Sequence, residues 1–151
     1  MAINVFRRYE KKFLLDEHIM NRLLPTLREH MEADKYCVNG RTYHICNLYF
    51  DTQGDDVIRE SLQHPFYKEK LRMRSYGIPP NGEAPVFLEL KKKVNRIVTK
   101  RRTQLSYAQA AAFLRDGTVP EGADYMQWQV LSEIDYYLSH TSNLLTLKSF
   151  D

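Results

Sequence analysis

The feature that most constrains the fold is the stretch KEKLRMRSYG at residues 68–77. A cation occupies every second position from Lys68 to Arg74, and Glu69, Leu71 and Met73 stand between them. Because successive side chains of a β-strand point to opposite faces, this period of two predicts a strand with one cationic face. An antiparallel sheet that has one face on the core and the other in water accommodates such a strand.

Four further segments are predicted as strands, and three of them repeat this arrangement. The strands are expected at 5–14, 42–51, 67–76, 86–93 and 96–105. Alternation places the following side chains together on the face that carries the cations: Arg8, Glu10 and Lys12; Lys68, Lys70, Arg72 and Arg74; Glu89, Lys91 and Lys93; Val98, Lys100 and Arg102. The opposite face holds Leu71 and Met73, then Val86, Leu88 and Leu90, so it is the face that should pack against helices.

Helices are predicted between and after these strands. Asp16 is a plausible N-cap for a first helix that contains Pro25. A short helix is expected at 55–63, with Val57, Ile58 and Leu62 facing inward. Ser106 should cap a helix that Gly117 ends, and apolar spacing from Met126 to Leu138 predicts a last helix. The pattern indicates an α+β fold, an antiparallel β-sheet with helices packed outside.

Length and composition bound the class of protein. The 151 residues, of which 27% are charged, fit a single domain over 1–151 with an ordinary globular composition. No apolar run reaches the length of a membrane span, and the basic N-terminal residues do not resemble a signal peptide. We therefore expect a cytoplasmic protein without a direct membrane span. The net charge of +3 is too small to argue for a nucleic-acid partner.

The distribution of charge is more informative, and it points to an anionic partner. Like charges directly opposite each other destabilise a sheet, and about ten cations share the assigned face with Glu10 and Glu89 as the only carboxylates. Single-stranded nucleic acid would require aromatic stacking platforms, and this face is predicted to offer only Tyr76 and Tyr49. Arginine forks and lysine charges suit condensed phosphate better. Since no phosphate-binding glycine loop is present, side chains should hold the phosphate.

Four segments together resemble a known family. They are RYEKKFLL at 8–15, NLYFDT at 47–52, KLRMRSYG at 70–77, and VFLELKKK with VTKRR within 86–102. As a set and in this order they resemble the VTC domain, the polyphosphate polymerase domain of the vacuolar transporter chaperone complex. That family belongs to the triphosphate tunnel metalloenzymes, which are related to the CYTH group. The resemblance implies an antiparallel barrel whose interior is a basic tunnel.

The resemblance also implies a reaction and its residues. Such enzymes bind ATP in the tunnel and transfer its terminal phosphoryl group to inorganic polyphosphate with a divalent metal, manganese or magnesium. The resemblance implies phosphate-binding roles for Arg8, Lys12, Arg72, Arg74, Lys91, Lys100 and Arg102, and alternation adds Lys70 and Lys93 as further phosphate-binding candidates on the same face. Arg72, Arg74 and Lys91 are the catalytic candidates. Glu10 and Glu89 are candidate metal ligands, or else charge partners that fix the geometry of neighbouring cations.

The resemblance departs from the family pattern at the C-terminal end. The family barrel needs further strands that bring more arginines, a metal-binding glutamate and a closing lysine motif, and none of them is found before Asp151. The tail LLTLKSFD lies where the next strand should begin. We therefore expect a partial barrel, which either pairs with a second copy of the chain or depends on a missing segment.

Three other functions stay open on the sequence. A non-catalytic polyphosphate-binding or sensing module would use the same cations, and a tunnel triphosphatase would send the phosphoryl group to water. A basic nucleic-acid binder is the third. Polymer formation distinguishes the polymerase from the module, and phosphate release without polymer marks the triphosphatase.

Overall fold

The structure is a computed structural model that describes residues 11, 13–33, 37, 43–79, 81–95, 97–141 and 144–149. Within them the elements are α1 (Glu17–His30), β1 (Ile45–Thr52), α2 (Asp56–Leu62), β2 (Tyr67–Tyr76), β3 (Pro85–Val94), β4 (Ile97–Ser106), α3 (Tyr107–Asp116), α4 (Tyr125–His140) and β5 (Leu144–Ser149). The chain divides into two compact units, one with α1 and the other with these strands and the remaining helices. The predicted α+β class is confirmed.

The first unit contains α1, whose start is set by the predicted cap. The Asp16 carboxylate accepts a hydrogen bond from the amide of Ile19 at 2.8 Å, which satisfies one of the free amides of the first turn. Pro25 lies inside the helix, as expected. The strand predicted at 5–14 lies outside the described residues except at 11, 13 and 14, which belong to no strand.

The second unit is built on an antiparallel sheet with the strand order β4-β3-β2-β1-β5. Over the described residues the sheet is open and does not close into a barrel. β3 and β4 are joined by a tight turn between the strands predicted at 86–93 and 96–105. In this turn Asn95 has a φ of 43°, a left-handed conformation that Asn tolerates. β5 confirms the strand expected in the tail and pairs with β1.

The core lies between one face of the sheet, here called the helix face, and helices α3 and α4. The sheet contributes Leu71, Val86, Leu88, Leu90 and Leu105, and the helices contribute Ala110, Phe113, Val130, Leu131, Ile134 and Tyr137. These residues are nearly or fully buried, and burial of apolar area supplies most of the folding free energy. The prediction that the apolar alternate residues face the helices is confirmed.

Both core helices begin with a capping box. Ser106 and Gln109 exchange side-chain and backbone hydrogen bonds at the start of α3, and Asp124 and Gln127 do the same for α4. Gly117 ends α3 with a φ of 75°, as predicted. None of the helices in the described ranges combines the length and apolar character of a membrane span.

Helix α2 is held by hydrogen bonds to the end of β1 as well as by the apolar contact of Val57. The Asp51 carboxylate accepts hydrogen bonds from the amides of Thr52, Val57 and Ile58 at 2.8, 2.9 and 3.1 Å. Val57 packs against the core as predicted. The expected inward positions of Ile58 and Leu62 are wrong, since these residues are 36% and 70% exposed. The two-turn helix is oriented by the buried Asp51, so its apolar spacing does not decide which side faces inward.

Candidate functional site

The face of the sheet opposite α3 and α4 is here called the cation face. The strand register aligns its residues in rows that run across β2, β3 and β4: Lys68, Lys93 and Val98; Lys70, Lys91 and Lys100; Arg72, Glu89 and Arg102; Arg74, Phe87 and Gln104. Neighbouring rows lie about 7 Å apart along the strands, so the face runs for roughly 20 Å. Within these rows eight cations accompany a single carboxylate, that of Glu89.

Glu89 is the centre of a cluster of cations, here called the arginine cluster, with Arg72, Lys100 and Arg102. Its side chain is 1% exposed. Oε2 accepts from Nε and Nη2 of Arg72, both at 2.6 Å. Oε1 faces Nζ of Lys100 at 3.7 Å and Nε of Arg102 at 3.6 Å, and no described residue donates a hydrogen bond to it. One carboxylate thus holds three cations from β2 and β4.

The ionisation of this cluster follows from its burial and its charges. Burial by itself would raise the pKa of Glu89, but the charge and hydrogen bonds of Arg72, assisted by Lys100, hold that pKa below its ordinary value. Burial by itself would lower the pKa of Arg72, but the charge of the Glu89 carboxylate has the larger effect and raises that pKa. Both groups therefore stay charged near neutral pH.

Three uncharged side chains orient the arginines. The Tyr49 hydroxyl accepts from Nη1 of Arg72 at 3.0 Å, and Oδ1 of Asn47 accepts from Nε of Arg74 at 2.8 Å. The guanidinium of Arg102 lies 3.5 Å from the centroid of the Phe87 ring, in cation–π geometry. A guanidinium carries five N–H donors, so these contacts leave donors to meet a ligand. All three nitrogen atoms of Arg72 are engaged, and its remaining donors are the second hydrogens of Nη1 and Nη2.

The other end of the cation face carries four lysines, here called the lysine cluster: Lys68, Lys70, Lys91 and Lys93. Nζ of Lys68 donates to the carbonyl and hydroxyl oxygens of Ser61 in α2, both at 3.1 Å. Lys70, Lys91 and Lys93 form no ion pair with a carboxylate among the described residues. Burial, and then the charge of Lys68, lower the pKa of Lys70. No ion pair among the described residues therefore neutralises the positive charge of Lys70, Lys91 and Lys93 at this end of the face.

The lysine cluster forms the floor of a cavity of about 550 Å³. Its remaining walls come from β1, α2 and β4, and its lining residues include Tyr49, Asp51, Val57, Ile58, Arg72 and Val98. The Asp51 carboxylate is occupied by the amides of α2, so it neutralises the lysines only in part. A concave site with uncompensated ammonium groups is suited to an anion with several charges.

Most of the residues predicted for the site share the cation face. The structure brings together Lys70, Arg72, Arg74, Glu89, Lys91, Lys93, Lys100 and Arg102. Arg8, Glu10 and Lys12 lie outside the described residues. Sequence analysis missed Asn47 and Phe87 as parts of the site. Alternation could have found Phe87, which lies between Val86 and Leu88 of the helix face and so belongs with Glu89.

The described side chains do not by themselves form a metal site. No group of three His, Cys, Asp or Glu side chains occurs among the residues searched in the described part of the chain. Glu89, the described candidate ligand, has both of its oxygens directed at cations, which would repel a metal ion. The donors needed for a divalent cation are oxygens in larger number. The role of Glu89 as a metal ligand stays a prediction, as does that of Glu10.

Comparison with known protein families finds a match over the part of the chain that carries the cations. A family model described as the VTC domain matches residues 7–146, which is most of the chain. No curated protein matches the chain. The matched range includes all eight cations of the described cation face, Glu89, and the residues that orient the arginines.

Proposed function

The chain belongs to the VTC domain family, and we propose on this premise that its cation face binds ATP and inorganic polyphosphate and transfers the terminal phosphoryl group from one to the other. Membership gives the chain a polyphosphate-related function in general terms. The substrates and the reaction are what the proposal adds. That the protein is cytoplasmic stays a prediction.

The observation that carries the proposal is the uncompensated charge of the lysine cluster. Lys68 and Lys93 are direct cross-strand partners, as are Lys70 and Lys91, and Lys91 and Lys100. Like charges in such positions destabilise a sheet. Their presence therefore costs stability, which is common at sites that serve function rather than folding. Condensed phosphate offsets the repulsion because it carries closely spaced negative charges along a chain.

The reaction asks the protein mainly for alignment and for neutralisation of charge. A terminal oxygen of polyphosphate attacks the γ-phosphorus of ATP, the new P–O bond forms, and ADP leaves with the electrons of the broken bond. Arg72, Arg74 and Lys91 are the proposed catalytic residues that hold the transferring group. Arg72, Arg74 and Lys91 lie on paired strands, and Glu89 and Tyr49 hold the Arg72 side chain in place before substrate arrives. The divalent metal stays a prediction of the family resemblance.

The first test is calorimetric titration of tripolyphosphate into wild type and a Lys70→Gln/Lys91→Gln variant, each with and without manganese. Each lost charge-assisted contact should weaken binding by about tenfold. Because neither lysine has a described carboxylate partner, the variant should unfold at an equal or higher denaturant concentration than wild type. Binding that falls while stability holds is the signature of a ligand site.

Lys92→Gln is the matched control, since Lys92 neighbours Lys91 but lies on the helix face. Its Nζ pairs with Glu69 at 3.1 Å and with Glu133 at 3.7 Å. This control should lose a little stability and no tripolyphosphate affinity. Equal binding by all three proteins would contradict the proposal and leave the cation face as a solvated surface.

An assay with ATP, polyphosphate primer and manganese then separates the possible outcomes of binding. Growth of the polymer supports the polymerase. Release of phosphate without polymer would instead indicate a tunnel triphosphatase, and binding without turnover a polyphosphate-binding module.

A further inference from the structure

The cavity over the lysine cluster has apolar walls as well as a cationic floor. Val57 and Ile58 of α2 line it near β1, and Val98 lines it near the β4 edge of the sheet. Val98 occupies the position on β4 that continues the row of Lys68 and Lys93. A row that is cationic in its first two strands thus ends in an aliphatic side chain.

These aliphatic side chains do not serve the core alone. Ile58 is exposed and Val98 is half-buried, so both present apolar surface to the cavity. A ligand made only of phosphate gains nothing from such surface, because phosphate must remain hydrated or paired with cations. The combination fits a molecule with a polyanionic tail and an apolar portion, such as a nucleoside triphosphate.

We propose that this wall is the nucleobase subsite of the site described above, which rests on the proposed function. The base of the nucleoside triphosphate lies between α2 and Val98, and its phosphates run over the lysine cluster toward Arg72 and Arg102. The assignment fixes the orientation of the nucleotide along the cation face. The nucleoside occupies the end at Lys68 and Lys93, and the transferring phosphate lies toward Glu89.

The apolar wall should bind a nucleobase without distinguishing one base from another. Val and Ile side chains have no donor or acceptor for the edge of a nucleobase. The hydroxyl and carbonyl of the nearby Ser61 already accept from Lys68. ATP and GTP should therefore bind with similar affinity.

The test compares ATP with tripolyphosphate by calorimetry in wild type, Ile58→Ser/Val98→Ser and Ile97→Ser/Ile78→Ser. The second variant is the matched control, because Ile97 is the neighbour of Val98 on the other face and Ile78 is an exposed isoleucine outside the cavity lining. Loss of apolar contact in the wall should weaken ATP binding by about tenfold. Tripolyphosphate affinity should stay unchanged in both variants.

The two proposals fail in different ways in this experiment. A cavity variant that weakens both ligands equally, or neither, overturns the nucleobase subsite and leaves the phosphate site standing. A strong preference for ATP over GTP in wild type also overturns an unselective apolar wall. Absence of tripolyphosphate binding in wild type would instead contradict the proposed function. Circular dichroism melting of each variant establishes that the fold is retained.

Discussion

At the scale of single residues, the site depends on one buried carboxylate among cations. Glu89 holds Arg72 directly and faces Lys100 and Arg102, so it sets the positions of side chains from two strands on either side of it. A carboxylate in this position lowers the repulsion among the cations while leaving each with free donors. Through these contacts Glu89 positions the side chains of Arg72, Lys100 and Arg102.

Glu89→Gln should destabilise the protein by about 2 kcal/mol at neutral pH. Removing one partner of a buried ion pair leaves unpaired charge, and the partial exposure of the three cations reduces the usual cost. Because the pKa of Glu89 is lowered by folding, its stabilisation is present above its unfolded pKa of about 4.3 and is lost as pH falls below that value. Urea unfolding of wild type and variant between neutral and acidic pH measures the difference, which should shrink in acid.

Glu133→Gln is the control for this prediction. Glu133 pairs with Lys92 and Arg101 on the helix face and is more exposed than Glu89, so its loss should cost less than 1 kcal/mol. Unchanged stability of Glu89→Gln, together with loss of manganese-dependent turnover, would argue that Glu89 is a metal ligand instead.

At the scale of elements, α2 connects the fold to the site. Its first amides bind Asp51, Thr52 donates to the Asp56 carboxylate at 2.6 Å, and its last turn receives Lys68. A seven-residue helix is too short to be stable by itself. The segment NLYFDT of β1 therefore has two tasks, since Asn47 and Tyr49 orient arginines and Asp51 and Thr52 anchor α2.

Asp51→Asn should lower the free energy of unfolding by about 2 kcal/mol. The carboxylate accepts three amide hydrogen bonds with its two oxygens, whereas an amide side chain has one oxygen and leaves a partly buried backbone donor of α2 unpaired. Urea denaturation measures the loss. Asp135→Asn, an exposed position on α4, should change stability by less than 0.5 kcal/mol. Equal effects of the two substitutions would show that Asp51 does not anchor α2.

The elements also show how much the sequence could predict. The period of two placed Lys70, Arg72, Lys91 and Arg102 on one face, because alternation in a strand is a local property that register preserves. The caps at Asp16, Ser106 and Gly117 were predicted for the same reason. The position of Leu62 was not, because α2 is oriented by Asp51, a contact between separate elements. The hydrogen bond of Arg72 to Tyr49 likewise depends on the pairing of β1 with β2.

At the scale of the whole molecule, charge is divided between the two faces of the sheet. On the helix face Lys92 and Arg101 are paired with Glu69 and Glu133. On the cation face Glu89 compensates only one end. The sheet is open over the described residues. That further strands or a second copy of the chain complete a tunnel stays a prediction.

Condensed phosphate should therefore stabilise the whole protein more than nucleic acid does. A ligand that binds the folded state at a hundred times its Kd adds about 2.7 kcal/mol, which raises Tm by roughly 5–10 °C in a domain of this size. Tripolyphosphate should produce this rise in a thermal melt. Oligothymidylate at equal phosphate concentration and ionic strength should produce much less, because Tyr49 and Phe87 of the cation face already contact Arg72 and Arg102. An equal rise with both ligands would favour a basic nucleic-acid binder, since stacking platforms would then be accessible on this face.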